Sequence, residues 1–213
     1  MKRHSINRQI LILMLLVTLL PILSLSSFYL YHYNQSFKKQ EFTKLTLIAD
    51  KKTNQLNAYI EERLGDTLLI ANSPIALEAL KHLTENFQLG SSQSPEYQQS
   101  QRTYSKYLLP FLDHGFYDIF LITPNRDIIL SLKAEKDLYS NLKTGTNKKT
   151  ELARQVNKAF WVEEPSLSPF SYYEPSQELA AFIAAPILDN KQIAGVIAFQ
   201  IDIDQLKAVI NDN

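Results

Sequence analysis

"YDIFLITPNRDIILSL", residues 117–132, reads as two strands in period-two alternation, 117–123 and 127–133, joined by the turn "PNRD". Such a pair needs a sheet to belong to. Downstream, residues 134–149 form a polar loop containing "EKDLYSNLKTG". A helix follows at about 150–160, with Leu152, Val156 and Ala159/Phe160 on one face. Three further strands are expected at about 169–173, 179–186 and 192–202, with "LDNKQ" turning between the last two and "DQLKAVI" opening a short helix. Upstream the period is helical. Leu45, Ile48, Leu56, Tyr59, Ile60, Leu64 and Leu68 predict one long helix over about 36–71. Ser73-Pro74 then caps a helix to about Leu83, "LGSSQSPEYQQS" is a loop, and Tyr104, Tyr107, Leu108 and Phe111 mark a further helix ending near Gly115. The order predicts an α+β module spanning about 116–202, one antiparallel sheet with helices on one side.

The amino terminus is of another kind. No formal charge lies between Gln9 and Phe37, and "ILILMLLVTLLPILSLSSFYLY" fills residues 10–31. As a helix this run is about 33 Å long, the thickness of a bilayer's hydrocarbon core. Phe28, Tyr29, Tyr31 and Tyr33 gather at one end as an aromatic belt would, and Pro21 is tolerated in a span. Lys2, Arg3 and Arg8 precede the run and favour a cytoplasmic amino terminus, diluted by Lys38 and Lys39. A cleaved signal peptide is the competing reading, with Ser24 and Ser26 as its small residues. The run continues past Pro21 into aromatic residues and has no Ala-x-Ala, so an uncleaved anchor is preferred. The expected organisation is a cytoplasmic tail 1–8, a transmembrane helix 9–33 and an extracytoplasmic domain 34–213, in a single-pass protein of the inner membrane.

Composition narrows the function. Removing Lys2, Arg3 and Arg8 from the 22 basic residues leaves 19 against 22 acidic ones, which gives no electrostatic footprint for nucleic acid. Cysteine is absent, so disulfides, thiolate metal sites and cysteine nucleophiles are excluded. Asp202 and Asp204 do not make a calcium site, and His4, His32, His82 and His114 have no companion at ligand spacing. No cofactor or metal is expected. No nucleophile elbow supports Ser-His-Asp chemistry, and an enzyme is not expected.

A helix leaving a membrane, followed in order by "YDIFLI", "EKDLYSNLKTG", "YYEPS", "AAFIAAPI" and "GVIAFQI", resembles the extracytoplasmic Cache sensor domains, PAS-like modules of bacterial chemoreceptors and sensor kinases. The resemblance covers roughly residues 35–210. It implies a five-stranded antiparallel sheet, one face of which binds a small molecule together with its overlying loops. Two departures follow from it. Amino-acid-binding members carry Arg-x-Trp after the second strand, where this chain has "EKDLYSNLKTG", its Trp being Trp161. They also place an Asp on the last strand where this chain has Gln200, and a neutral amide makes no charge-assisted bond to an ammonium group. An ordinary α-amino acid bound in the usual way is therefore not expected. The resemblance also implies a second module or a returning membrane helix beyond Asp202, and the sequence given has neither. Output is accordingly expected through a partner.

Alternation puts Phe116, Asp118, Phe120 and Ile122 on one side of the first strand, and Val196, Ala198, Gln200 and Asp202 on one side of the last. The candidate ligand-binding residues are Asp118 and Gln200 as polar anchors, with Phe120, Tyr139, Asn141, Tyr172 and Phe182 as walls. The alternatives are that Asp118 and Gln200 meet water at strand ends and that the walls are core. The expected function is a membrane-anchored module sensing an unidentified small molecule, paired through the 9–71 helix as a homodimer or with a partner receptor. A scaffold that binds no ligand, a remnant of a longer receptor and an extracytoplasmic hydrolase are the rivals.

Overall fold

The computed structural model of the chain describes residues 3–90, 92–162 and 164–211; Lys2 of the expected tail lies outside them. The chain divides into two compact units, residues 1–53 and 54–213. The two helices expected at 9–33 and 36–71 are a single helix, α1 (Arg3–Ala71), with Pro21 inside it. Its stretch from residue 8 onward contains a window of mean hydropathy 2.5, long and apolar enough to cross a membrane. The apolar side chains from Ile10 to Tyr33 are exposed, as they must be if lipid is their solvent.

In the second unit, α2 (Pro74–Gly90) continues well beyond Leu83, because Ala76, Ala79, Leu80 and Leu83 form a buried stripe that Phe87 extends. The loop expected after it is mostly helix. Ser94 caps α3 (Pro95–Leu108) by accepting the Tyr97 N–H at 3.1 Å, with Pro95 in the first turn. This repeats the Ser-Pro signal of Ser73-Pro74. A 3-10 turn, Leu109–His114, ends at Gly115, whose φ of 93° is costly for any side chain. A Cβ there would also strike Arg63 and Tyr59 of α1.

The sheet begins with β1 (Phe116–Ile122) and β2 (Ile128–Ser131), the hairpin of the opening stretch. Thr150 then caps α4 (Glu151–Ala159) by accepting the Ala153 N–H at 3.2 Å. Next come β3 (Ser166–Leu167), β4 (Ser171–Tyr173), β5 (Glu178–Ala180), β6 (Phe182–Asp189) and β7 (Gln192–Ile201). Asn190 and Lys191, both at positive φ, make the tight turn between β6 and β7. The five-stranded sheet runs β2-β1-β7-β6-β3, and every pairing is antiparallel. The expected third strand at 169–173 is not in it. That segment pairs with 178–180 as a separate two-stranded ribbon, β4–β5, and the sheet's edge is the two-residue β3. The expected strand 179–186 is likewise split at Ala181. After β7, Asp202 leaves the strand face and caps α5 (Ile203–Asn211), accepting the N–H groups of Asp204 and Gln205.

Each face of the sheet has its own core. Ile119, Leu121, Ile183, Ile197 and Phe199 lie under α2, α3 and the end of α1. Phe120, Ile122, Phe182, Val196 and Ala198 lie under α4, Tyr173 and Ala180. Helices thus pack on both faces, not one. Gly195 lets α2 approach closely: a Cβ there would stand 2.6 Å from both Leu80 Cδ2 and the Ile122 carbonyl oxygen. The expected side-sharing fails at one point. The register steps from Phe116↔Ile201 to Asp118↔Gln200, so β1 carries an extra residue at Tyr117. Phe116 is thereby turned to the helical face, where its ring meets Phe199 at 4.6 Å.

Candidate functional site

The two polar positions singled out on β1 and β7 face one another. Asp118 and Gln200 are register partners, and both are fully buried on the face covered by α4 and the ribbon. Neither meets water at a strand end. Asp118 Oδ1 accepts the backbone N–H groups of Ile119, Leu132 and Lys133 at 2.7–3.1 Å, and Oδ2 accepts the Ser131 hydroxyl at 2.6 Å. These bonds favour the anion, yet desolvation outweighs them and pushes the carboxyl up to about 7.

Around this pair the chain collects further acids that sequence reasoning did not single out. Asp137, from the loop after β2, is fully buried; its Oδ2 accepts the Tyr173 hydroxyl at 2.6 Å. Burial raises its pKa as well. Glu135 accepts the Tyr117 hydroxyl at 2.7 Å. Glu178 of β5 accepts a hydrogen bond from Gln200 Nε2 at 3.2 Å, and Ser176 accepts a second from the same nitrogen at 3.2 Å. Burial again raises the Glu178 carboxyl, with Asp202, Asp204 and Glu135 adding like charge. The acids are electrostatically one group: Asp137 acts on Asp118, and Glu135 acts on Asp137 and on Glu178.

Their partners do not balance them. Among the described residues no lysine, arginine or histidine forms an ion pair with Asp118, Glu135, Asp137 or Glu178. Lys133 stands instead over the Tyr117 ring at 4.9 Å. Three buried acceptors, Glu135 Oε2, Asp137 Oδ1 and Gln200 Oε1, have no hydrogen-bond donor. Such orphaned acceptors are costly and call for a partner. Among the described residues no three acid or histidine groups are placed to hold a metal ion.

The remaining candidates divide. Phe120 and Phe182 are fully buried on this face, and Tyr173 meets Phe182 edge-on at 4.9 Å. Tyr172 lies 64 % exposed on the outside of the ribbon, its neighbour Tyr173 having the inward place. Tyr139 is drawn to the helical side, stacked on Phe87 and edge-on to Tyr97, each at 5.9 Å. Asn141 locks the hairpin turn: its Nδ2 donates to Asn125 O at 2.9 Å and Asp127 Oδ1 at 2.8 Å, while Oδ1 accepts from Lys143 and Thr144. The structure therefore gathers Asp118, Phe120, Phe182 and Gln200, and leaves out Tyr139, Asn141 and Tyr172.

A five-stranded antiparallel sheet with this order, a long leading helix and a polar cluster under a ribbon invites comparison with solved structures. Over 80 % of this chain, the Vibrio cholerae histidine kinase DctB sensor domain superposes with a TM-score of 0.59 at 14 % identity. The chain shares the fold of that sensor domain. The likeness of fold extends, over 80 % of the chain, to the ligand-binding domain of the Pseudomonas aeruginosa amino acid chemoreceptor PctC, solved with GABA (TM-score 0.51, 13 % identity). It also includes the extracellular domain of the putative histidine kinase vpHK1S-Z8 over 78 % of the chain (TM-score 0.53, 12 % identity). The chain covers 59 % of the DctB structure, 68 % of the PctC structure and 58 % of the vpHK1S-Z8 structure. No protein-family model and no curated protein matches the sequence.

Proposed function

We propose that the chain is a membrane-anchored, extracytoplasmic sensing module that binds a small molecule bearing an ammonium group beneath the β4–β5 ribbon. The observation carrying this reading is the set of buried carboxylates without counter-ions, together with the donorless Asp137 Oδ1 and Gln200 Oε1. A cation with several N–H donors satisfies both deficits at once. Phe120, Phe182 and Tyr173 supply the apolar wall. The charge that Gln200 lacks is supplied by its neighbour Glu178, so the neutral residue on the last strand does not make the site neutral.

In this reading residues 1–8 are cytoplasmic, 9–33 cross the inner membrane and 34–213 lie outside it. Binding draws the ribbon and the loop after β2 onto the sheet, and the change reaches the bilayer through the 36–71 helix. Pairing of the 9–71 helix with a second copy or a longer receptor carries the output. The test is calorimetry on the full chain in nanodiscs with ethylammonium and putrescine as probes, and tetramethylammonium, acetate and acetamide as controls. Saturable heat for an amine probe, lost in Asp137→Asn while circular dichroism is unchanged, is the expected result. Equal responses to amines and controls would refute the reading.

A further inference from the structure

Asp118, Asp137 and Gln200 are fully buried, so a solute reaches them only if part of their cover moves. The cover has two halves. α4 sinks Leu152, Ala153, Val156 and Ala159 into the core of this face, and lifting it would give up that burial. The other half is the β4–β5 ribbon, a single pair of strands. It turns Tyr173 and Ala180 inward, with Pro175 seating its tip, and shows Tyr172 and Leu179 to solvent. One ribbon's thickness separates the acids from water.

The two ends of the ribbon are fastened differently. At its root the Ser168 N–H donates to the Phe182 carbonyl at 2.9 Å and the Phe182 N–H donates to Ser168 Oγ at 2.9 Å. The Ala181 carbonyl there accepts the Ile201 N–H of β7, also at 2.9 Å. Beyond the root, among the described residues, no backbone hydrogen bond joins 171–180 to the rest of the domain. Side chains hold it instead. The Tyr173 hydroxyl donates to Asp137, Gln200 Nε2 donates to Ser176 and Glu178, and Lys136 pairs with Glu174 at 3.0 Å across the outside. Three of these four catches end on Asp137 or Gln200, inside the acidic site. Such bonds can be exchanged for water while the sheet stays whole, which is the condition for a local opening.

We propose that the β4–β5 ribbon is a hinged lid, whose tip at 174–177 lifts about the root at 168–170 and 181–182 to admit and release the ligand. The proposal rests on the reading of the acidic site as a ligand site. The closed lid brings Glu178 and the Tyr173 hydroxyl to that site, so opening takes the site apart and closing completes it around the occupant.

The reporter is Asp118, which belongs to neither the ribbon nor the loop after β2. A water-soluble carbodiimide with glycinamide labels carboxyls that solvent reaches, and mass spectrometry of the full chain in nanodiscs locates the label. Label on Asp118 is expected to grow at a rate nearly insensitive to low urea, because lifting one ribbon exposes little surface. Ser176→Ala should speed it about two- to tenfold, the effect of one neutral hydrogen bond. Lys136→Cys with Glu174→Cys, closed by a bismaleimide across the mouth, should suppress it relative to the same chain before closure. Label that appears only as steeply with urea as global unfolding, label unchanged by closure, or Ser176→Ala labelling like the parent chain would each overturn the lid. The urea series needs no variant, so a misfolded variant leaves the test intact. Absent amine heat in calorimetry would remove the ligand and leave gated labelling standing, whereas ungated labelling beside intact amine heat would remove the lid alone.

Discussion

Asp118→Asn should flatten the dependence of stability on pH. In the folded chain burial holds this carboxyl at about 7 against an ordinary 3.8, so the native state keeps a proton that the unfolded chain releases. The sign follows. Below about pH 4 both states are protonated and the group costs nothing. From pH 4 to 7 the unfolded state ionises first and stability falls. Above 7 the loss is complete and constant. A shift of about three units at 1.36 kcal/mol each amounts to about 4 kcal/mol. For a unit of this size that corresponds to roughly 10 °C in melting temperature. Asparagine keeps an oxygen for the three backbone donors and puts an amide against Ser131 Oγ, at a cost of about 1 kcal/mol. Thermal melts by circular dichroism between pH 4.5 and 7.5 should show the parent losing stability across the range and the variant losing much less. The two curves should cross. Parallel curves would refute the argument, because they would mean that Asp118 ionises in the folded chain as it does in the unfolded one.

Tyr173→Phe removes the hydroxyl from Asp137 and should cost about 1–3 kcal/mol in denaturant titration, more as rising pH ionises the abandoned carboxyl. Gly195→Ala should destabilise by about 1–3 kcal/mol, since its methyl meets Leu80 and the immovable Ile122 carbonyl; an unchanged midpoint would mean α2 can shift freely. Single cysteines from Phe37 to Leu56 should give oxidative dimers every three to four positions, centred on the exposed Leu45 and Ile48. A chain that never crosslinks would dismiss the pairing of this helix.

Period-two alternation carried most of the sheet, because β1, β6 and β7 are long enough for the pattern to be counted. It failed where one residue decides. The extra residue at Tyr117 reverses Phe116, and no composition marks it. In a three-residue strand such as β4, Tyr172 and Tyr173 are equally good inward candidates, and only tertiary pairing chooses. The two-residue β3 carries no period at all. Asp118 and Gln200 were legible because both lie on counted strands. Asp137, Glu135 and Glu178 come from a loop and a ribbon, where nothing periodic reports which side chain turns inward. Ser94-Pro95 is a different case. Its cap signal was present in the sequence, hidden by polar neighbours that resemble a linker.

The strand made last, β7, is the middle one of the five. As the polypeptide is delivered residue by residue, β1 and β6 both wait for a neighbour that does not yet exist, with buried-type side chains such as Phe120 and Phe182 uncovered. Each is in that interval an open edge able to recruit another nascent chain. The β1–β2 hairpin can form early. The sheet itself closes only when residues 192–201 arrive, in a single step that joins both halves. A chain stopped before Val196 would therefore be an aggregation hazard and not a smaller version of the domain.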